Sequence, residues 1–532
     1  MKKWPKILST LLAALVLGAM LTFAFAPYEI FPLAVLSLCG LLALWLKASP
    51  RLAFWSGFSF GIGLFSTGLY WVFISIHQFG DVPNGLALLI TSGLILFMAL
   101  FPAMTGYLSN RYFPFTHTTK TLCVFPALWV LSEWIRSFLF TGFPWLLLGY
   151  TQTNSPLKGI APILGVYGVS LAVFMTSALL VNAVVQFKQH AYRYAYFNLF
   201  GLVLLWTASN LFCFIPWTQA DAPPIPVSLV QGNIPQSIKW SPSALHLSFE
   251  RYTQLTNPLW QKGRIIIWPE AAIPLPLQDA ASFINQMDSR AKQAEAHLIL
   301  GIPIQTQDGK GYNNAVVVLG GHGDQVYLKR RLVPFGEYTP LLDFTSRFID
   351  LKRILQFMDI PMTDTLPGKV DQAPLQVGDT KILTSICYEI AFPELIRSRD
   401  SHIGLLLTVS NDAWFGKSTA QAQHLQIAMM RAMEFERPLL FVSNDGITAI
   451  IGPRGKIEAV APTRTEAVLN ATVQPRSGLT PWMQNGADPV RFILVCLLIV
   501  AIRTKMGLRA KQREALPLAL TPQPEKKGYH SN

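Results

Sequence analysis

Charge is what this sequence has least of. Of 532 residues only 14% are Asp, Glu, Lys or Arg, and 51% are hydrophobic; an ordinary soluble domain carries about a quarter charged residues. So few charges cannot cover the surfaces of the three or four water-soluble domains that the length would allow. Acidic residues are scarcer still, 30 against 43 basic ones, for a net charge of +13. The surplus is local. Residues 221–480 carry 24 basic and 24 acidic side chains, so the whole excess lies beside the hydrophobic segments on either side. A nucleic-acid binder would concentrate it on the surface of its soluble part; that class is excluded, and no nucleic-acid partner is expected. Cysteine is rare too, with five in all. Cys39, Cys123, Cys213 and Cys496 fall in apolar runs, where a thiol behaves as a small hydrophobe. Only Cys387 lies within 221–480, so that region forms no internal disulfide, and no CxxC spacing exists to hold a metal. Neither a metal nor a cofactor is expected, and one thiol is left to explain.

What the chain does have is apolar length. Stretches of roughly 17–25 residues, enough to cross about 30 Å of hydrocarbon, lie near 8–25, 30–46, 53–76, 86–108, 121–140, 160–187 and 196–215, with an eighth near 490–505. Lys2, Lys3 and Lys6 give the first the look of a signal peptide, but six further spans follow before residue 216, so it is read as retained. Basic loops alternate with poor ones: Lys47 and Arg51, Arg111 and Lys120, Lys188 and Arg193, then Arg503 to Arg513 in the tail, against Glu29, Asp81 and a single Lys158 between. By the rule that basic loops stay in the cytoplasm, both termini are cytoplasmic. The expected organisation is a membrane domain with seven helices over 1–215, an external domain over 216–489, an eighth helix over 490–506 and a cytoplasmic tail over 507–532. Glu133 and Arg136 stand three apart on one helix face. They mark either a functional pathway in the membrane or a pair at the outer helix end that snorkels to the interface.

From Ile225 the texture changes. Short apolar or β-branched runs appear at Ile225–Val230, Arg264–Trp268, His297–Ile302, Ala315–Leu319, Lys381–Cys387, Leu405–Ser410 and Leu439–Ser443. Amphipathic segments near 242–256, 279–295 and 419–436 separate some of them. The alternation predicts an α/β domain whose strands are buried on both faces, and its length is ample for one large core. In 340–360, Phe344, Phe348, Leu351 and Leu355 recur at helical spacing among basic residues. That suits a helix lying on a lipid surface and an ordinary core-facing helix equally.

Three segments place chemistry at strand ends. Ile265-Ile266-Ile267-Trp268-Pro269-Glu270 delivers a carboxylate just past a buried strand. Tyr327-Leu328-Lys329-Arg330-Arg331-Leu332-Val333-Pro334-Phe335-Gly336-Glu337 delivers an ammonium, and Leu383-Thr384-Ser385-Ile386-Cys387-Tyr388-Glu389 ends a strand in a thiol. Singly, each has a bland explanation as a solvated turn, a charged edge or a structural cysteine. Together they fall in the order Glu, Lys, Cys across one α/β domain.

That order resembles the nitrilase superfamily, whose members use a Glu-Lys-Cys triad on an αββα sandwich. The likeness is closer to the apolipoprotein N-acyltransferase family, which joins eight membrane spans to a nitrilase-like external domain inserted before the last. Nearly the whole chain is covered, by Gly142-Phe143-Pro144-Trp145, Gln231-Gly232-Asn233-Ile234-Pro235-Gln236, Trp268-Pro269-Glu270, Val333-Pro334-Phe335-Gly336-Glu337, Cys387-Tyr388-Glu389 and Asn411-Asp412-Ala413-Trp414-Phe415-Gly416. The resemblance implies a multi-pass enzyme of the bacterial inner membrane, monomeric, with its catalytic domain on the periplasmic side. It would take an acyl chain from a phospholipid (phosphatidylethanolamine, sn-1 chain) and pass it through a Cys387 thioester to the amino group of a diacylglyceryl-cysteine on an apolipoprotein. Glu270 would be the base, with its pKa raised by burial, and Lys329 would stabilise the oxyanion, helped by the backbone N–H after the nucleophile. Glu337 and Glu389 would orient Lys329 and the base, or serve structure alone. Trp240, Tyr388 and Trp414 would shape a mouth for lipid, or simply pack. A membrane-anchored amidase using water as second nucleophile is the alternative enzyme, although it would need only an anchor. A transporter or scaffold is the alternative outside catalysis; few intramembrane charges beyond Glu133 and Arg136 support it.

Overall fold

Each of the eight apolar segments contains a helix in the computed structural model, which describes residues 4–515 apart from 81, 114–116, 310, 322, 324, 335 and 339–364. The helix expected at 340–360 lies outside the described residues. The helices run Trp4–Thr22, Pro32–Leu46, Pro50–Gly68, Asn84–Tyr112, Phe125–Arg136, Ala161–Lys188, Tyr192–Phe212 and Asp488–Ala515. By length and composition, four described helices can cross a membrane, and a fifth if Pro50–Gly68 and Trp71–Phe79 count as one span bent by 49°. Pro32–Leu46 has 15 residues and Phe125–Arg136 has 12, the latter continuing without a gap from the turns at His117–Thr119 and Lys120–Val124.

The apolar stretch near 53–76 is thus helical but bent. The chain turns just past Gly68, and its second half brings Trp71, Ser75 and Phe79 against Trp414 and Phe415 of the region that follows the apolar helices. Trp71 meets the ring of Phe415 at 4.9 Å, Ser75 donates to the Trp414 carbonyl at 2.8 Å, and Phe79 packs edge-on to Trp414. Glu133 and Arg136 do not snorkel. Both are buried, and both reach the loop that follows their helix: Glu133 accepts from the Leu148 N–H at 2.8 Å, and Arg136 donates to the Leu146 carbonyl at 3.3 Å. A buried charge needs such partners, and here they fix the segment that carries Trp145.

Residues 225–473 supply two six-stranded sheets. We number their strands β1 (Ile225–Gln231), β2 (Ile265–Ile267), β3 (His297–Gln305), β4 (Tyr312–Leu319), β5 (Gln325–Leu328), β6 (Leu375–Val377), β7 (Thr380–Ile386), β8 (Ile403–Ser410), β9 (Leu439–Ser443), β10 (Ala449–Ile451), β11 (Ile457–Val460) and β12 (Ala467–Val473). One sheet has the order β12-β1-β2-β3-β4-β5 and the other β11-β10-β9-β8-β7-β6. In each, three parallel strands form the centre and antiparallel strands the edges. Side chains alternate across a strand, so each sheet has two apolar faces to cover. Val227, Leu229, Ile267, Ile386, Leu407, Leu440 and Val442 fill the space between the sheets. Ile266, Trp268, Leu298 and Leu300 point outward from the first sheet onto helices Pro242–Thr256 and Ala281–Gln293.

The outer face of the second sheet meets helix Ala420–Phe435, and there the fold departs from a free-standing sandwich. Leu406, Leu439, Phe441 and Ile451 share one apolar cluster with that helix and with the membrane helices behind it. An amphipathic helix with a wet face was expected at 419–436, yet all but one of its residues are buried. Its polar side chains bond to the membrane domain instead. Gln423 accepts from Trp145 Nε1 at 2.7 Å, Gln426 from the Ala26 N–H at 3.1 Å and Glu434 from the Val166 N–H at 2.7 Å.

Candidate active site

The three predicted segments converge at the ends of their strands. After β2, Trp268 makes the last ladder bond to Ile299 at 2.8 Å, and Pro269, lacking an N–H, ends the pairing. The chain then turns through Ala271 at φ +45°. Gly301 in β3 makes room for this turn, since a Cβ there would stand 2.5 Å from the Pro269 carbonyl oxygen and 2.7 Å from Glu270 Cα. Lys329 follows β5 directly, and its N–H donates to the Asn314 carbonyl at 2.8 Å. Cys387 follows β7 and opens a short helical turn, Cys387–Ala391, with φ +52°. That conformation is sterically unfavourable for a residue with a Cβ.

The charged groups form a buried chain. Lys329 Nζ donates to Glu270 Oε1 at 2.9 Å and to Glu337 Oε1 at 2.8 Å, and Lys329 is 1% exposed. Asn314 Nδ2 donates to Glu270 Oε1 at 2.7 Å, while the second Glu270 oxygen accepts from the Asn411 N–H at 3.0 Å. Glu337 Oε2 accepts from the Val333 N–H at 2.8 Å. Lys239 is buried as well, with Nζ donating to the Glu270 carbonyl at 3.2 Å, and burial lowers its pKa to about 8.

This electrostatic frame corrects one expectation. Burial does push the Glu270 carboxyl up, but the Lys329 ammonium, by charge and hydrogen bond, and then Lys239 and Asn314 outweigh it and hold the group below the ordinary carboxylate range. Burial also works against the Lys329 ammonium, yet Glu270 and Glu337 raise it well above its usual value. Burial and the Glu270 charge push the Cys387 thiol well above a free cysteine, against the opposing pull of Lys329 and Ser410. The resting site is therefore a carboxylate, an ammonium and a neutral thiol. Moving the thiol proton to Glu270 would exchange one negative charge for another beside Lys329, against the lowered carboxyl and the raised thiol.

Of the other predicted residues, Glu337 bonds Lys329 directly. Glu389 does not; it is fully buried and accepts from the N–H groups of Arg330 at 2.6 Å, Arg331 at 3.1 Å and Ile386 at 2.7 Å, and from Tyr327 Oη at 2.9 Å. It thus ties the backbone after Lys329 to the backbone before Cys387. Each buried donor left without a partner costs about 1–3 kcal/mol. Glu389→Leu should therefore destabilise the protein by about 3 kcal/mol or more, seen as a lowered thermal-unfolding midpoint in detergent; an unchanged midpoint would show that those donors find other acceptors. Tyr388 Oη donates to the Gly142 carbonyl at 2.9 Å, and its ring stacks on Trp145 at 6.5 Å. Trp414 lies against the bent membrane helix, and Trp240 follows buried Lys239 and is half-buried. The strings around 142–145, 387–389 and 411–416 thus meet in one aromatic seam between the thiol and the apolar helices.

Sequence reasoning missed Asn314, Lys239, Asp412 and His424. His424 stands between Asp412 Oδ1 at 3.0 Å and the Cys387 carbonyl at 3.1 Å. Asp412 sits inside one of the quoted strings, which was the available signal; the others are isolated polar residues whose partners are remote in sequence. Among the described residues no group of three or more His, Cys, Asp or Glu side chains is placed to hold a metal ion.

Two family models match the chain. Residues 17–179 match the apolipoprotein N-acyltransferase N-terminal domain and residues 226–481 match carbon-nitrogen hydrolase. Similar relatives extend over nearly the full length. The apolipoprotein N-acyltransferase of Coxiella burnetii is 43% identical over 489 residues, 92% of this chain and 98% of its own. Those of Methylococcus capsulatus and Azotobacter vinelandii are each 38% identical, covering 93% and 94% of this chain and 96% of theirs.

Proposed function

Because the chain belongs to the apolipoprotein N-acyltransferase family, we propose that Cys387 carries the acyl group that this enzyme transfers to the N-terminal amine of an apolipoprotein. The enzyme is an acyltransferase of lipoprotein maturation and a membrane protein. The donor is a phospholipid, phosphatidylethanolamine by resemblance. Cys387 Sγ attacks its ester carbonyl while the thiol proton passes to Glu270. Lys329 and the Tyr388 N–H stabilise the oxyanion, as preorganised donors do in other acyl transfers. Collapse breaks the ester C–O bond, and the departing alkoxide takes the proton from Glu270, leaving lysophospholipid and an S-acyl enzyme. The free amine of the diacylglyceryl-cysteine then attacks the thioester, a C–N bond replaces the C–S bond, and its proton returns to the thiolate by way of Glu270.

The observation that carries this reading is the Lys329 ammonium buried between two carboxylates beside the lone thiol. The aromatic seam toward the apolar helices supports a lipid donor over a water-soluble one. The alternation of basic loops supports eight crossings, with both termini in the cytoplasm and 216–489 in the periplasm of the inner membrane; a monomer suffices, since all the proposed groups come from one chain.

Intact-protein mass spectrometry after incubation with phosphatidylethanolamine vesicles tests the first half-reaction. The expected result is one added acyl mass, removed by hydroxylamine and lost on adding a diacylglyceryl lipopeptide with a free amine, which gains that mass. Release of free fatty acid with no gain on the lipopeptide would favour the hydrolase instead.

A further inference from the structure

We infer that His424 is a positioning residue that holds the Cys387 carbonyl and so aims the Tyr388 N–H at the oxyanion. This rests on the thioester reading and adds a part to it. Cys387 adopts a left-handed backbone, φ +52°, which a residue with a Cβ does not keep unless its surroundings enforce it. His424 Nε2 lies 3.1 Å from the Cys387 carbonyl oxygen. A carbonyl can only accept, so Nε2 donates to it. The other ring nitrogen lies 3.0 Å from Asp412 Oδ1, an oxygen that accepts from Ser410 Oγ at 2.6 Å. His424 and Asp412 are both fully buried. The imidazole is further held by aromatic rings, with Phe441 at 5.1 Å, Trp145 at 5.6 Å and Phe415 at 6.1 Å between centroids.

The consequence follows from peptide geometry. A trans peptide is planar, and its C=O and N–H point in opposite directions. Turning the Cys387 carbonyl toward His424 therefore turns the Tyr388 N–H away from it. The first N–H groups of a helical turn have no partner within the turn, and Tyr388 is the second residue of Cys387–Ala391. The clamp fixes the direction of the N–H in the peptide that follows the thiol-bearing residue. Its anchors come from elsewhere in the chain, Asp412 just past β8 and His424 on helix Ala420–Phe435. The donor's direction is thus set by the layer that joins the sheet to the membrane domain.

Two reactions of the same thiol separate this role from a merely structural one. Acylation by phospholipid passes through an oxyanion; alkylation by iodoacetamide, a displacement at saturated carbon, does not. His424→Phe keeps a ring in the aromatic box and removes the donor. It should slow acyl-enzyme formation about 10²–10³-fold, the usual loss for one oxyanion donor, with the phospholipid KM unchanged. Cys387 alkylation should stay within about threefold, which also reports a folded site. His424→Gln, whose amide restores an N–H, should recover at least about tenfold over the phenylalanine variant. Should the phenylalanine variant fail to fold, His424→Leu, which also lacks a donor, carries the same comparison against the unaltered enzyme. Equal losses in acylation and alkylation, or no loss of acylation, would overturn the assignment. An unaltered enzyme that forms no acyl adduct would sink the thioester reading instead, so the two failures are distinguishable.

Discussion

Cys387→Ser should lower acyl transfer to a lipopeptide by at least about 10⁴-fold and abolish the hydroxylamine-labile adduct, a loss within the range for removing a covalent nucleophile. The substitution exchanges sulfur for a slightly smaller oxygen at a half-buried position, so folding should change by under about 1 kcal/mol. The chemical change is far larger. A hydroxyl is much less acidic than a thiol, and in this site the thiol is already pushed well above its usual value by burial and by Glu270. Glu270, held below the ordinary carboxylate range, is too weak a base to take a proton from an alcohol at a useful rate. Sulfur alone combines enough acidity with enough nucleophilicity to react from this arrangement. Mass spectrometry of the serine variant with phosphatidylethanolamine, and a lipopeptide assay beside it, check the prediction. A variant retaining a tenth of the activity would show that the reaction does not need the thiol.

How far the sequence reveals the fold depends on what each element faces. β1, β3, β7, β8 and β9 are buried on both sides by helix layers and by the opposite sheet, so they stand out as unbroken apolar runs with ends legible to within a few residues. β5, β6 and β11 have three or four residues and at least one exposed position. Their pairing is set by neighbours in space, and the periodic signal is too short to see. Helix Ala420–Phe435 shows the opposite failure. Its pattern of apolar and polar residues has helical period, but Gln423, Gln426 and Glu434 meet the membrane domain rather than water, and one chain's sequence does not distinguish the two environments. The triad was legible because each member follows a strand end at a recognisable string. The pKa of Glu270 was not, because burial and Lys329 act in opposite directions and only their distances decide which prevails.

That balance makes Glu270→Gln the second large effect, a fall of about 10³-fold within the 10²–10⁴ usual for a general base. Glutamine keeps the shape and one acceptor oxygen toward Lys329, and Lys329 retains Glu337 at 2.8 Å, so the ammonium is not orphaned. Both half-reactions should slow, since in the proposed mechanism the same carboxylate takes the thiol proton and later the amine proton. The pH dependence gives the sharper test. In the unaltered enzyme the base works only when ionised; its depressed pKa keeps it ionised through neutrality, and the rate is lost only as pH falls below the ordinary carboxylate range, near 4.3. The thiol lies well above its usual value, so spontaneous thiolate does not appear near neutral pH either. Acyl-enzyme formation should accordingly be nearly flat between about pH 6 and 8. In the glutamine variant no internal base remains, and the negative charge that held the thiol up is gone while Lys329 stays. Its residual rate should climb roughly tenfold per pH unit as thiolate forms, so the gap between the two enzymes narrows toward alkaline pH. Profiles that remain parallel across that range would mean that Glu270 acts by holding Lys329 in place and moves no proton.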